Sequence, residues 1–330
     1  MAKKLRVKYE QVPLTEQPPE ALHPKHWPTW AMSGLMYLLS RPSLKQRTAI
    51  GAALGEISYR FAKSRRHIAE ANIDACFPEL SPQQRQKLTK KTLIENTIGI
   101  VETAAAWWRP PQDFLECTDF YGTENLLGTL EKGHGVLLIG GHYTTLDMGG
   151  SLLSLVTPYD VTYRANNDPV LDWVIRKGRE SFTDHQIERT QVRSILRALR
   201  SGRVLWYAPD QDYGSQRSVF APFFNVATAT VKATSKFSAQ PNTKVLFISH
   251  FRKKNNSGYA VFFSPPLKDF PTGDETEDAR IINAHLEQEI RRVPEQYMWV
   301  HRRFKSRPKG EEPFYEKTKA KKSKKKKSGN

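Results

Sequence analysis

The apolar hexapeptide Gly135-Val-Leu-Leu-Ile-Gly140, followed at once by His142 and Asp147, narrows the folds open to this chain more than any other feature. Four consecutive aliphatic residues between glycines are too short for a helix. They read as a strand buried on both faces, as in a parallel sheet covered by helices. The pattern then repeats. A helix is predicted from about Thr145 to Leu155, a strand at Val161–Tyr163 and a helix from Pro169 to Ser181. Further on come a helix from Val192 to Arg200, ended by Ser201-Gly202, and a strand at Val204–Ala208. A helix near Thr230 to Ala239 and strands at Lys244–Ser249 and Tyr259–Phe263 complete the rhythm. Upstream, Ser81 with Pro82 at the first helical position starts a helix that runs to Trp108, before Pro110-Pro111. Alternation of this kind specifies an α/β fold with a mixed, largely parallel sheet flanked by helices.

In such a sheet, reactive groups collect beyond the carboxyl ends of the strands. Three polar clusters fall there: His142 to Asp147, Tyr163 to Asn167, and Pro209 to Gly214. The His142/Asp147 spacing alone carries little weight. With 9 His and 34 acids in the chain, roughly one such pair arises by chance. Its position at a strand-to-helix corner is what matters. Thr144 or Thr145 can cap the helix, and the corner can return the Asp147 carboxylate to the imidazole, leaving the other ring nitrogen as a base. The competing reading has Asp147 complement the helix dipole while His142 fills a strand end.

The remaining chemistry is narrowed by elimination. No Gly-x-Ser-x-Gly elbow and no reactive cysteine context accompanies the pair, so a covalent acyl-enzyme lacks a nucleophile. The Walker and dinucleotide glycine patterns are missing, and neither a cofactor nor a metal is implied. Cys76 and Cys117 form no C-x-x-C and no His/Cys cluster, which argues for reduced thiols.

The formal charge of +17 favours an acidic partner. Eight lysines and no acid lie between Lys317 and Lys327, a stretch that reads as a disordered solvated tail or, alternatively, as one attracted to anionic lipid headgroups. Zinc-finger spacing and an aromatic RNA-binding block are missing, so nucleic acid is not the expected partner. Residues 1–21 read as a disordered leader without a secretory apolar region. Residues 22–63 read as a membrane-associating helical segment, with Trp27 and Trp30 at its start. Its run from Trp27 to Leu39 is short of a full span, and an amphipathic stretch from Ile50 to Phe61 leads into a basic cluster at Arg60, Lys63, Arg65 and Arg66. Residues 64–313 form the expected catalytic domain, on the cytoplasmic face of the membrane, and 314–330 the lysine-rich tail.

The His142-x4-Asp147 box after Gly-Val-Leu-Leu-Ile-Gly-Gly resembles the acyltransferase box of the bacterial lipid A late acyltransferases. The likeness extends to Tyr163-Arg164 with Asn166, Gly178-Arg179, Trp206-Tyr-Ala-Pro-Asp-Gln-Asp-Tyr-Gly214, and Pro294-Glu-Gln-Tyr-Met-Trp-Val-His-Arg-Arg-Phe-Lys305 with Arg307-Pro308. Leu22-His-Pro and Phe77-Pro-Glu79 agree more weakly, and the motifs run in order over about residues 22–313. The resemblance implies a glycerolipid-acyltransferase-like fold. It also implies transfer of a fatty acyl chain from acyl carrier protein to the 3-hydroxyl of a hydroxyacyl chain on a Kdo-bearing tetra-acylated lipid A precursor, at the inner membrane. It maps His142 and Asp147 as the catalytic pair, His142 as general base and Asp147 as orienting carboxylate. Arg179, Asp210 and Arg164 are further residues supporting substrate or activity. The wording around Asp210 favours the lauroyl or palmitoleoyl type over the myristoyl type. Alternatives are a phospholipid- or glycolipid-directed acyltransferase with the same box, and a basic membrane-binding protein without catalysis.

Overall fold

The computed structural model describes residue 18 and residues 20–315; most of the expected leader, and the tail from residue 316 onward, lie outside the described residues. Four helices come first: α1 (Trp27–Ser40), α2 (Leu44–Phe61), α3 (Lys63–Cys76) and α4 (Pro82–Trp108). Then follow β1 (Thr118–Tyr121), α5 (Thr123–Glu131), β2 (Gly135–Gly140), α6 (Leu146–Leu153), β3 (Asp160–Tyr163), α7 (Pro169–Arg179), β4 (His185–Glu188), α8 (Val192–Arg200) and β5 (Val204–Tyr207). The chain continues through β6 (Ser218–Phe223), β7 (Val226–Val231), α9 (Ala233–Ser238), β8 (Thr243–Arg252), β9 (Tyr259–Phe263) and α10 (Glu275–Ile290).

Seven strands form one sheet in the order β1-β9-β8-β2-β5-β3-β4, and β6 and β7 form a separate antiparallel hairpin. All neighbours in the large sheet run parallel except β8 and β9. The expected mixed, largely parallel sheet is therefore present. Its centre is the predicted hexapeptide: every residue of β2 is buried, because β8 and β5 pair with its two edges and helices cover both faces. Successive side chains of a strand point to opposite faces. Leu137 and Ile139 accordingly enter one core with Leu205, Val245 and Phe247, while Val136 and Leu138 enter another with Val204, Trp206 and Leu246.

Where the patterns were strong, the predicted bounds match closely. Helix α4 carries the capping box Ser81/Gln84 with Pro82 in its first turn, and ends at Trp108 before the two prolines. The helix expected from Thr230 begins only at Ala233, because Val226–Val231 is a strand paired with β6. The β-branched run Val-Ala-Thr-Ala-Thr-Val suits that pairing. The four-residue strands β1 and β4 and the helices α5 and α10 were not anticipated; four residues of mixed polarity show too little periodicity.

The N-terminal segment is two helices rather than one. Ser43 caps α2 after the break at Arg41 and Pro42, and both helices pack along α4. Helix α2 comes so close that a Cβ on Gly51 would lie 2.6 Å from the Cα of Ile98. At the next residue of α4, a Cβ on Gly99 would lie 2.2 Å from the carbonyl oxygen of Thr144, so α4 also buttresses the loop that follows β2. Only glycine permits such backbone approach. Among the described residues, no helix is long and apolar enough to cross a membrane. Helix α1, with 14 residues, spans about 21 Å against a hydrocarbon thickness of about 30 Å.

Behind the β2 loop lies His250 on β8, 1% exposed, its imidazole against Thr145 Oγ1 at 2.9 Å. Burial pushes its pKa down to about 3, well under the roughly 6.5 of an unfolded chain. Between those values the unfolded state holds a proton that the folded state lacks. The contribution is therefore complete above about pH 6.5, and stability falls below it by up to about 1.4 kcal/mol per pH unit. Urea midpoints measured from pH 7 to pH 4.5 should fall less steeply in His250→Gln than in the native protein. Equal slopes would show that His250 does not carry this linkage.

Candidate active site

The site assembles where β2 and β5 end side by side. The His142 backbone N–H donates to Asp210 Oδ2 at 2.7 Å, and its Nδ1 lies 2.5 Å from Asp210 Oδ1. Tyr297 completes the set, its hydroxyl donating to Oδ2 at 2.8 Å. Burial by itself would raise the Asp210 pKa. The adjacent imidazole and these three donors outweigh that and hold the carboxyl well below the usual range. An ionised carboxylate can only accept, so His142 Nδ1 carries the proton and Nε2 is left as the basic nitrogen.

The carboxylate on the imidazole is thus Asp210, and the expected return of Asp147 to His142 is not what the structure shows. Asp147 sits in the first turn of α6 and accepts from Arg179, with Nε to Oδ1 at 2.6 Å and Nη2 to Oδ2 at 3.3 Å. The reason is geometric. The loop from Gly141 to Thr145 is held by two bonds to the C-terminal segment, Thr144 N–H to the Gln296 carbonyl at 2.7 Å and Met298 N–H to the His142 carbonyl at 3.0 Å. Arg179, at the end of α7, claims the carboxylate from the other side. Burial works against the charge on Arg179, and Asp147 more than compensates, keeping its pKa raised. The expected threonine cap is also replaced: Thr145 occupies the cap position, but its hydroxyl donates to the His250 carbonyl at 2.9 Å.

His142, Asp147, Arg179 and Arg164 all line one cavity of about 540 Å³. Much of its lining is apolar, including Leu146, Val161, Phe182, Ile195, Trp206 and Phe237. A largely apolar chamber lined also by an imidazole and several cations suits an amphiphile with a long chain.

Two residues of the Pro294–Lys305 block lie near the imidazole: Tyr297, to which sequence reading assigns no role, and His301, which it reads only as part of a basic run with Arg302, Arg303 and Lys305. Tyr297 holds Asp210. His301 has its ring centroid 6.0 Å from that of His142, and Gln211 Nε2 lies 3.2 Å from its Nδ1. Burial, with the neighbouring His142 adding to it, lowers His301 to about 4, so this second imidazole is neutral near pH 7. Their only sequence signal was membership of a polar-aromatic run beyond the last helix.

Residues 14–306 match the family described as bacterial lipid A biosynthesis acyltransferase. The chain is 37% identical to the lipid A biosynthesis palmitoleoyltransferase of Escherichia coli K12 over 90% of its own length and 97% of the relative's. The chain belongs to the lipid A biosynthesis acyltransferase family. It is 34% identical to the lauroyltransferase of the same organism, over 88% of this chain and 95% of that one. It is 26% identical to the myristoyltransferase, over 88% and 90%. As a member of this family the protein is an acyltransferase.

The two carboxylates can be told apart by experiment. Asp210→Asn should cut kcat by about 10³-fold or more, because an amide neither fixes the Nδ1–H tautomer nor stabilises the imidazolium. Asp147→Asn should lower turnover through Arg179 while leaving the pH at which the rate falls on acidification unmoved. A shift of that limb in Asp147→Asn, with none in Asp210→Asn, would reverse the assignment.

Proposed function

We propose that the protein transfers a fatty acyl chain from acyl carrier protein to the 3-hydroxyl of a hydroxyacyl chain on a Kdo-bearing, tetra-acylated lipid A precursor. The observation that carries the mechanism is the Asp210–His142 pair, with His142 lining a largely apolar cavity. His142 Nε2 takes the proton of the acceptor hydroxyl as its oxygen attacks the thioester carbonyl. The C–O bond forms, the C–S bond breaks, and the proton passes from the imidazolium to the departing thiolate. Asp210 stabilises the transient imidazolium, and Tyr297 holds Asp210. The amides of Tyr143, Thr144 and Leu146 already have acceptors, and the amides of Thr145, Asp147 and Met148 at the start of α6 are the donors we assign to the oxyanion. Asp147 and Arg179 act as a bidentate pair that fixes one cavity wall. The greater identity to the palmitoleoyl and lauroyl relatives than to the myristoyl one supports the first secondary acylation.

The natural site of action is the cytoplasmic face of the inner membrane. Support comes from the N-terminal helices. Leu38 on α1 is 64% exposed and Phe61 on α2 is 77% exposed, with Trp27, Leu35 and Ile57 also open to solvent. Arg60, Lys63, Arg65 and Arg66 lie just beyond. An apolar surface edged by cations suits a helix pair lying in an anionic interface.

In an assay with acyl carrier protein thioester and the tetra-acylated acceptor, His142→Ala should lose roughly 10²- to 10⁴-fold in kcat, with acceptor binding kept. Near-native turnover by the folded variant would remove His142 from the mechanism. Because α1 and α2 cover α4, attachment is better tested by point changes than by truncation. Leu38→Asp with Phe61→Asp should abolish flotation with vesicles containing anionic phospholipid. Retained flotation that high salt reverses would assign the attachment to electrostatics alone.

A further inference from the structure

We infer that Arg164, Arg189 and Arg217 form a binding site for a phosphomonoester on the acceptor lipid, at the rim of the cavity that holds His142. The inference rests on the glycolipid acceptor proposed above and adds which of its groups is recognised, and by what. Arg164 directly follows β3, Arg189 directly follows β4, and Arg217 ends the short 3-10 turn Ser215–Arg217 in the connection after β5. These three strands are neighbours in the sheet, and the segments that follow them bring all three arginines to the lining of one cavity.

Their charges are uncompensated. Arg179, Arg203 and Arg252 each meet a carboxylate. Among the described residues, none of the three rim arginines does. Arg189 lies over the Tyr213 ring, 4.9 Å from its centroid, and its buried Nε has no hydrogen-bond partner. The nearby acids are committed elsewhere: Glu188 accepts from the Thr190 N–H at 2.7 Å, and Asp212 from the Gly214 and Ser306 N–H groups at 2.8 and 2.6 Å. A guanidinium trio facing a cavity is built for a compact, multiply charged oxyanion.

Charge and reach select the source. A phosphomonoester carries about −1.5 to −2 near pH 7, whereas the phosphodiester that joins pantetheine to a carrier carries one charge. Adjacent strands are about 4.8 Å apart, so β3 and β4 lie on the order of 10–15 Å from the His142 strand. That reach suits a sugar phosphate close to the acylated hydroxyl better than the end of an extended pantetheine arm.

The test uses the full-length protein and the double variant Arg164→Ala/Arg217→Ala, both positions being exposed. With the phosphorylated acceptor, KM for the acceptor should rise at least about tenfold, and KM for the acyl-carrier donor should stay constant. With the same acceptor after phosphatase treatment, native protein and variant should coincide. Calorimetric titration with a short-chain acylated glucosamine phosphate should show the same loss, and the dephosphorylated glycolipid should bind both proteins equally weakly. If KM for the donor moved instead, or if phosphate removal left the native protein unaffected, the assignment would be overturned. Should native protein transfer no acyl group to any glycolipid, the acyl acceptor named above fails. The calorimetric comparison then still decides whether the three arginines hold a phosphomonoester.

Discussion

One buried carboxylate organises this molecule. Asp210 is ionised inside the protein, and an unpaired charge there would cost several kcal/mol. It is satisfied by donors from two other parts of the chain: the main and side chains of His142 after β2, and Tyr297 beyond α10. Those bonds hold three distant segments at one point. They also select the imidazole tautomer, so the interaction that closes the fold also leaves His142 Nε2 as the accepting nitrogen.

The rest of the site follows from the sheet. Parallel strands β2, β5, β3 and β4 lie side by side and end at the same edge, so each connection opens onto the same chamber. His142, Asp210, Arg164 and Arg189 come from four different strand ends. The second polar pair, Asp147 with Arg179, ties the first turn of α6 to the end of α7. From the opposite side, α4 supports the β2 loop through the glycine contact at Gly99.

The central strands and their helices were legible because their signals are local. The apolar run at 135–140, the proline-started helix at Pro82 and the Ser-Gly stop after Arg200 each declare an element without outside help. The hairpin of β6 and β7 was obscured because its alternation ran into the helix that begins at Ala233. The break between α1 and α2 was present as Arg41, Pro42 and Ser43, but the packing of both helices on α4 was not, since it depends on close approach at Gly51.

His142 as the base candidate, the three polar strand ends and the α/β class were determined by the sequence itself, because each rests on residues within a few positions of one another. The partner of His142 was not. Five residues of spacing made Asp147 the nearest acid along the chain, yet the acid that reaches the ring stands 68 positions away. Only the pairing of β5 beside β2 brings Asp210 there, and only Arg179, 32 positions from Asp147, holds the nearer acid apart. Spacing along a chain governs contacts within a helix or a turn; which carboxylate meets an imidazole across a parallel sheet is decided by strand order, and strand order is a property of the folded whole.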